Sequence, residues 1–331
     1  MKLLHIGKAG NIERFADPDS FLFGLERVEA PIGLPAAEYL KAAGDAEFII
    51  ADAIGDIPGE LIEGMPNLRL IHSEGVAYNR IDIETARRRH VYVCNSKGMN
   101  SSAVAEQAVL LMLGMLRDIA GGDRAVRSGR QIRKKEGYML RGDLRELSDC
   151  SVGLVGFGDI ARKTALLLHA FGVQKINCTD MIPLSAEQEE EYGVRFCSLL
   201  ELLSDSDIVS LHVPVTPDTV GMAGKSFFAA MKDGALLLNT ARGELVDDAA
   251  LIEALSSGKL AMAGLDTLDH EPVQLDHPLL NVPDQIAEKL LFSPHIAGIT
   301  ASSFRRSFAM IAEDIQDAAE GRVPKRVVNP W

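Results

Sequence analysis

Short apolar runs alternate with amphipathic stretches along almost the whole chain, and that order leaves few architectures open. In the first third the strand candidates are KLLHIG (from Lys2), FIIAD (from Phe48), LRLIHS (from Leu68) and VYVCN (from Val91). A second series comprises SVGLVG (from Ser151), KINCTD (from Lys175), VRFC (from Val194), DIVSLHV (from Asp207), ALLLNT (from Ala235), LAMAGLD (from Leu260) and LLFS (from Leu290). Runs this short and this continuously apolar suit strands covered on both faces, and helices between them supply the crossovers that parallel pairing needs. The expectation is an α/β protein with parallel sheets. A length of 331 residues points to two domains.

The segments between the two series refine this. AVAEQAVLLMLGMLRDIA, from Ala103, reads as a long, mostly buried helix; Glu106, Gln107, Arg117 and Asp118 rule it out as a lipid span. A polar, Gly- and Arg-rich connector is expected from Gly121 to about Gly142. IDIETARRRH, from Ile81, reads as a helix with a solvated basic face. One more amphipathic helix covers Thr300 to Gly321, and RVVN, from Arg326, is expected along a surface or against the first domain. This order fits an inserted domain: residues 1–98 plus 297–331 for substrate binding, and 99–296 for a dinucleotide.

The dinucleotide expectation rests on VGLVGFGDIARKTALLLHAFG, Val152 to Gly172. Gly156, Gly158 and Ala161 fill a G-x-G-x-x-G/A pattern. The first glycine allows a tight turn, the second lets backbone approach a pyrophosphate, and the small third residue lets helix and strand pack closely. The helix then presents unpaired N–H groups to the phosphates. The pattern follows a strand and opens a helix, and the next strand ends at Asp180, at the spacing of a carboxylate that binds the adenosine ribose. A carboxylate repels a 2′-phosphate and no arginine follows in MIPLS, so NAD is favoured over NADP.

The formal net charge is −13, which disfavours nucleic acid and anionic membrane as partners. An anionic ligand would need a local cation. Cys94, Cys150, Cys178 and Cys197 form no CxxC pair and no zinc-like spacing, so no metal site is expected. Buried free thiols and an N-terminal apolar stretch too short for a signal peptide suggest a reducing, cytoplasmic setting.

Three strand ends carry polar groups: Arg242 after LLLNTA, Glu271 in LDTLDHEPV, and His295 in LLFSPHIAG. Ligands of open parallel sheets sit beyond the carboxyl ends of the strands, so the three could border one crevice. Hydride transfer to a ketone leaves negative charge on oxygen. Histidine can supply the proton, a carboxylate can orient it, and arginine can hold a carboxylate bidentately. Taken alone, the same residues also read as a surface arginine paired with Glu244, a Glu-Pro turn and a core histidine. His212, in LHVPVTPDT, is a competing strand-end histidine.

GFGDIARKTA, LHVPVTPDT, LLLNTARGELVDDAAL, AGLDTLDHEP and SPHIAGIT, in that order, closely resemble the signature segments of the D-isomer-specific 2-hydroxyacid dehydrogenases. The resemblance runs from Asn95 to Asn329, and SEGVAYNRID, from Ser73, looks like that family's substrate loop. It implies two Rossmann-like domains, the first discontinuous, with a cleft between them, and a homodimer contact near the helix at Ala103. It implies a small anionic 2-keto or 2-hydroxy acid as substrate and NAD as cofactor. Arg242 would bind the substrate carboxylate, with the N–H groups of Val76 and Ala77 opposite; His295 would be the acid/base, supported by Glu271. The cofactor set it implies comprises Gly156, Phe157, Gly158, Asp159 and Ile160 in the turn, Asp180, then Val213, Pro214 and Thr219. Thr240, Ala241 and Arg242 follow, then Asp266 beside the nicotinamide amide, His295 and Gly298.

There are departures from the family pattern. Ala77 stands where the family has glycine, Asn79 where it has aspartate, and Lys97 where proline is common. Glu74 adds negative charge near the expected carboxylate site, and Lys8, Glu74, Tyr78 and Arg80 are candidates for the side-chain pocket. Formate-specific members carry glutamine at the position of Glu271. Two alternatives remain open: an NAD-sensing assembly protein like the C-terminal-binding corepressors, and an NADP-preferring glyoxylate or hydroxypyruvate reductase.

Overall fold

The structure, a computed structural model, describes residues 1–330. The chain folds as two compact units, one made of Met1–Asn100 and the segment from Ile299 onward, the other of Ser101–Gly298.

In the first unit the chain runs β1 (Lys2–Ile6), α1 (Asn11–Phe15), β2 (Glu26–Ala30), α2 (Ala36–Ala43), β3 (Phe48–Ala51), α3 (Gly59–Gly64), β4 (Leu70–Ser73), α4 (Ile83–Arg88) and β5 (Tyr92–Cys94). The strands form one parallel sheet in the order β2-β1-β3-β4-β5. Strand side chains alternate between faces, and the core divides accordingly. Leu4, Ile6, Ile49, Ile71 and Val93 pack toward Tyr39, Leu61 and Ile62 of α2 and α3. Leu3, Phe48, Ile50, Leu70 and Cys94 point the other way.

The second face explains why the unit is discontinuous, because the chain returns to cover it. Phe308, Ile311 and Ile315 of the C-terminal helix, Ala301–Ala319, are fully buried against that face. Each such side chain contributes about 1.5–3 kcal/mol. His72 Nε2 lies 3.0 Å from Asp314 Oδ2, both side chains fully buried, and Arg326 pairs with the same carboxylate at 3.1 Å. Asn329 mimics a strand: its Oδ1 accepts from Val93 N at 2.7 Å and its Nδ2 donates to Val91 O at 2.9 Å. The tail expected along a surface or against the first domain is thus bonded to β5.

The second unit continues α5 (Ser101–Leu116), α6 (Ile119–Arg127), α7 (Gln131–Arg141), β6 (Ser151–Val155), α8 (Asp159–Ala170), β7 (Lys175–Thr179), α9 (Ala186–Tyr192), β8 (Arg195–Phe196) and α10 (Leu199–Asp205). It ends with β9 (Ile208–Leu211), α11 (Lys225–Ala230), β10 (Ala235–Asn239), α12 (Asp248–Ser257), β11 (Leu260–Leu265), α13 (Asp284–Ala287) and β12 (Leu290–Phe292); the helix Ala301–Ala319 is then α14. Its parallel sheet has the order β12-β11-β10-β9-β6-β7-β8. One face packs on α5 and α8 through Met112, Met115, Ala161, Ala165 and Leu168. The other packs on α11 and α12 through Phe227, Phe228, Leu251 and Leu255. Chain order reverses between β6 and β9, which makes their carboxyl ends a topological switch point.

Two sequence expectations need correction. Strand β2 was absent from the candidates: ERVEA lies at a sheet edge, bonded only to β1 and largely exposed, so charge replaces the apolar run. The Gly- and Arg-rich connector is in fact helical. Asp118 caps α6 by accepting from Gly121 N at 3.1 Å, Gly142 ends α7 in the left-handed conformation, and residues 131–141 consist largely of good helix formers. Helix α5, by contrast, has the buried character expected of it.

Candidate active site

Carboxyl ends of adjacent parallel strands share one edge of the second unit, and the residues singled out in the sequence stand on them. After β6, Gly156 has φ +90°, and a Cβ there would come within 2.8 Å of the His212 carbonyl carbon. Glycine is therefore required both by conformation and by the approach of the β9 end. At Gly158 no protein atom lies within 4 Å of the Cβ position, so backbone is open to a ligand. Gly158 caps α8 without a side-chain bond, leaving the first N–H groups, at Asp159 and Ile160, without a side-chain partner. Ala161 is fully buried between helix and sheet.

Asp180 sits beside this turn. Its Oδ2 accepts from Phe157 N at 2.6 Å and its Oδ1 from Met181 N at 2.7 Å. The carboxylate is thereby fixed, and each oxygen retains a lone pair for a ribose hydroxyl. The Phe157 ring is buried and edge-on to Tyr192. Together the open glycine, the uncapped helix end and the anchored carboxylate fit a dinucleotide.

Beyond β9, Val213 reaches the Gly156 position, and the Thr219 hydroxyl donates to Pro214 O at 2.7 Å, closing the loop. His212 bonds to the Ser210 hydroxyl at 2.8 Å, and desolvation lowers its pKa to about 4. Desolvation thus disfavours its protonated form, and among the described residues no carboxylate pairs with it.

Arg242 stands after β10. The guanidinium donates to its neighbour's carbonyl, Ala241 O, at 2.7 Å, and among the described residues no ion pair includes it. The pairing with Glu244 does not form. Sequence reasoning gave no role to Asn239, whose Oδ1 accepts from Ala241 N and whose Nδ2 donates to Arg242 O at 2.7 Å, bracing the backbone that carries the cation. Gly243 matters for a different reason: a Cβ there would lie 1.9 Å from the Leu268 carbonyl carbon. Glycine alone lets the Arg242 loop rest on the loop that leads to Glu271. The Thr240 and Thr267 hydroxyls nearby in sequence are buried without a protein partner.

After β11, Glu271 and His295 meet. Glu271 Oε2 lies 2.5 Å from His295 Nδ1, and Oε1 accepts from Leu268 N at 3.0 Å. A carboxylate only accepts, so Nδ1 carries the hydrogen and Nε2 is the position that takes up or releases a proton. His295 has φ +52°, an uncommon conformation for a residue with a side chain. Asp266 holds it there. Its backbone O accepts from His295 N at 2.8 Å, Oδ1 from Ile296 N at 3.1 Å, and Oδ2 from Ala297 N at 2.9 Å. The Ser293 hydroxyl donates to the same carboxylate and is itself held by Gln107. Asp266, expected beside the nicotinamide amide, is 2% exposed and spends its oxygens bracing the histidine segment. Gly298 closes the unit.

Val76 and Ala77 belong to the first unit, just past β4. Every carbonyl from Glu74 to Ala77 is tied back, by Ser307 Oγ, Ser96 N, Asn95 Nδ2 and Ser73 Oγ in turn. Among the described residues no hydrogen bond uses the N–H of Val76 or Ala77. Backbone N–H groups left without an internal partner are available to an anionic ligand. Among the described residues, no group of three His, Cys, Asp or Glu side chains is placed to hold a metal, and no helix is long and apolar enough to cross a membrane.

Comparison with known proteins gives this arrangement a family. Residues 109–297 match the family model for the NAD-binding domain of D-isomer specific 2-hydroxyacid dehydrogenases. A D-3-phosphoglycerate dehydrogenase of Archaeoglobus fulgidus is 35% identical over 92% of this chain, which spans 55% of that protein's length. A glyoxylate reductase of Korarchaeum cryptofilum is 34% identical over 94% of this chain and 90% of its own. Among solved structures, D-lactate dehydrogenase with NAD+ from Lactobacillus jensenii superposes with a TM-score of 0.81 at 28% identity, covering 100% of both chains. The chain belongs to the D-isomer-specific 2-hydroxyacid dehydrogenase family, oxidoreductases acting on CH–OH donors, and it has the family's NAD-binding Rossmann domain.

Proposed function

We propose that this protein is an NAD-dependent reductase of a small 2-keto acid, producing the D-2-hydroxy acid, and that it also runs the reverse oxidation. The observation that carries the reading is the His295–Glu271 pair, which aims a protonatable Nε2 away from its carboxylate, in a chain whose Arg242 has no counter-ion. NADH, held by the glycine turn, would supply the hydride to C2. Arg242 would grip the substrate carboxylate; the free N–H groups of Val76 and Ala77, in the first unit, would also suit a carboxylate. As charge grows on the carbonyl oxygen, His295 delivers its Nε2 proton, and Glu271 stabilises the ring while it is charged. In oxidation the same nitrogen takes the proton from the hydroxyl. The turn from Gly156 to Ile160, with Asp180, would hold the dinucleotide and favour NAD over its 2′-phosphate. Val213, Pro214, Thr219, Thr240, Ala241 and Gly298 would border it.

The working unit is proposed to be a cytoplasmic homodimer. Helix α7 has no buried residue, and Ile132, Met139 and Leu140 on it are exposed, the last at 89%. The contact is expected near α5, and these exposed apolar side chains of α7 are a further face that a second copy would cover.

The experiment is an NADH-oxidation screen with glyoxylate, hydroxypyruvate, pyruvate, phosphohydroxypyruvate and bulkier keto acids. Turnover of at least one acid supports the reading. Tight NADH binding with no turnover of any acid would favour a cofactor-sensing assembly protein instead, and faster turnover with NADPH would overturn the assignment from Asp180.

A further inference from the structure

The first unit contains a buried charged cluster that the chemistry above does not use. His5, on β1, is fully buried. Its Nε2 lies 2.7 Å from Glu74 Oε1, and its Nδ1 lies 3.4 Å from Glu29 Oε1. Asn11 Nδ2 donates to the other oxygen of Glu74 at 3.4 Å. Glu74 is 5% exposed, an unusual location for a carboxylate. Burial opposes the charge on His5, yet the hydrogen bond and attraction from Glu74 outweigh it, and the pKa of the ring is raised. Carboxylates at both ring nitrogens favour the imidazolium form.

The backbone of Glu74 is held just as firmly. Its N–H donates to Ala51 O at 2.8 Å and its carbonyl accepts from Ser307 Oγ at 2.6 Å. Bonds from this one residue therefore reach β1, α1, β3 and α14. It immediately precedes Gly75, Val76 and Ala77, whose carbonyls are tied back while the last two N–H groups stay free. Burying an ion pair costs several kcal/mol per ion, which makes it weak as a pure stabiliser. A fixed geometry for the next peptide units is what such a pair can supply.

We propose that Glu74 and His5 are positioning residues for substrate binding: their buried pair fixes the start of the 74–77 loop, so that its carbonyls stay tied back and the N–H groups of Val76 and Ala77 stay free for the substrate. This rests on the reading that those N–H groups receive the substrate carboxylate. Neither side chain reacts. Losing the pair loosens the anion-binding backbone and leaves cofactor binding and proton transfer, carried by the other unit's residues, as they were.

The test compares Glu74→Ala and Glu74→Gln with wild type, using NADH and whichever of glyoxylate, pyruvate or hydroxypyruvate the wild type reduces fastest. Amide hydrogen exchange on the NADH-bound full chain is read in parallel. Glu74→Ala should raise KM at least tenfold, with kcat within threefold and NADH affinity unchanged. Glu74→Gln keeps an acceptor for His5 Nε2, Asn11 can flip to meet the new amide, and KM should stay within threefold of wild type. Exchange in Glu74→Ala should quicken at least tenfold at the hydrogen-bonded amides of residue 74, Gly75 and Ser96 while β1, β3 and β4 stay protected. Unchanged KM and exchange would overturn the proposal, as would a loss confined to kcat or exchange raised uniformly through the unit. If Glu74→Ala does not fold, His5→Gln, which retains a donor, is compared with His5→Ala, and the same split is expected; equal behaviour of the two overturns it. If the wild type reduces no keto acid, the proposed activity fails, and local against uniform exchange alone decides the positioning claim.

Discussion

His295 and Glu271 meet at 2.5 Å, Nδ1 to Oε2, across 24 residues of sequence, and the second oxygen of Glu271 is pinned by Leu268 N. The carboxylate is fixed before it fixes the imidazole. Glu271→Gln retains an oxygen that can accept from Nδ1 and loses the negative charge beside the ring. Kcat should fall about 10–100-fold, at or below the low end of a general acid–base contribution, because His295 itself remains. NADH affinity should be unchanged by fluorescence titration. A wild-type kcat in this variant would remove Glu271 from the mechanism.

Arg242 has no carboxylate partner among the described residues, and Asn239 braces its backbone. Lysine retains the charge and loses the planar fork. Arg242→Lys should therefore raise KM for the keto acid by about 10–100-fold, the cost of a charge-assisted bidentate contact, about 1.5–3 kcal/mol. Steady-state kinetics against substrate concentration check this; unchanged KM would place the carboxylate elsewhere.

Asp180 accepts from Phe157 N and also supplies the negative charge that a 2′-phosphate would meet. Asp180→Ala should weaken NADH and relax the discrimination against NADPH together. The ratio of kcat/KM for NADH to that for NADPH should fall at least tenfold, a loss of about 1.4 kcal/mol of selectivity.

Asp207, just before β9, contributes to the acid stability of the second unit. Desolvation raises its pKa, but Ser151 N and Oγ, each 2.8 Å from Oδ2, and Lys232 at 3.0 Å from Oδ1 outweigh it and bring it down to about 2. A folded pKa below the unfolded value near 3.8 means stability that is fully present above about pH 4 and lost as pH falls through 2. The contribution is on the order of 2 kcal/mol. Asp207→Asn should lower Tm at pH 7 and flatten its decline between pH 4 and 2, measured by thermal melts.

Much of this was legible in the sequence because strand burial and turn chemistry are local. Apolar runs marked most strands, and Gly156, Gly158 and Ala161 marked the turn: the structure shows a steric demand at Gly156 and Ala161 and open space at Gly158. The edge strand β2 was hidden because a strand paired on one side can carry ERVEA without an apolar run. Helices α6 and α7 were hidden because glycine and arginine content read as a loop. Long-range partners could not be read at all. Glu74 looked like a charge close to the substrate, and its partner His5 lies 69 residues away. Asp266 could be placed near the reaction centre, but only coordinates show both of its oxygens committed to the backbone on either side of Ile296.

The most direct test is NADH-dependent reduction of the keto-acid panel by wild type and by His295→Ala, with NADH binding measured on both. The account predicts turnover by the wild type, a loss of at least a hundredfold in kcat for the variant, and equal NADH affinity. Turnover by His295→Ala at the wild-type rate would contradict it.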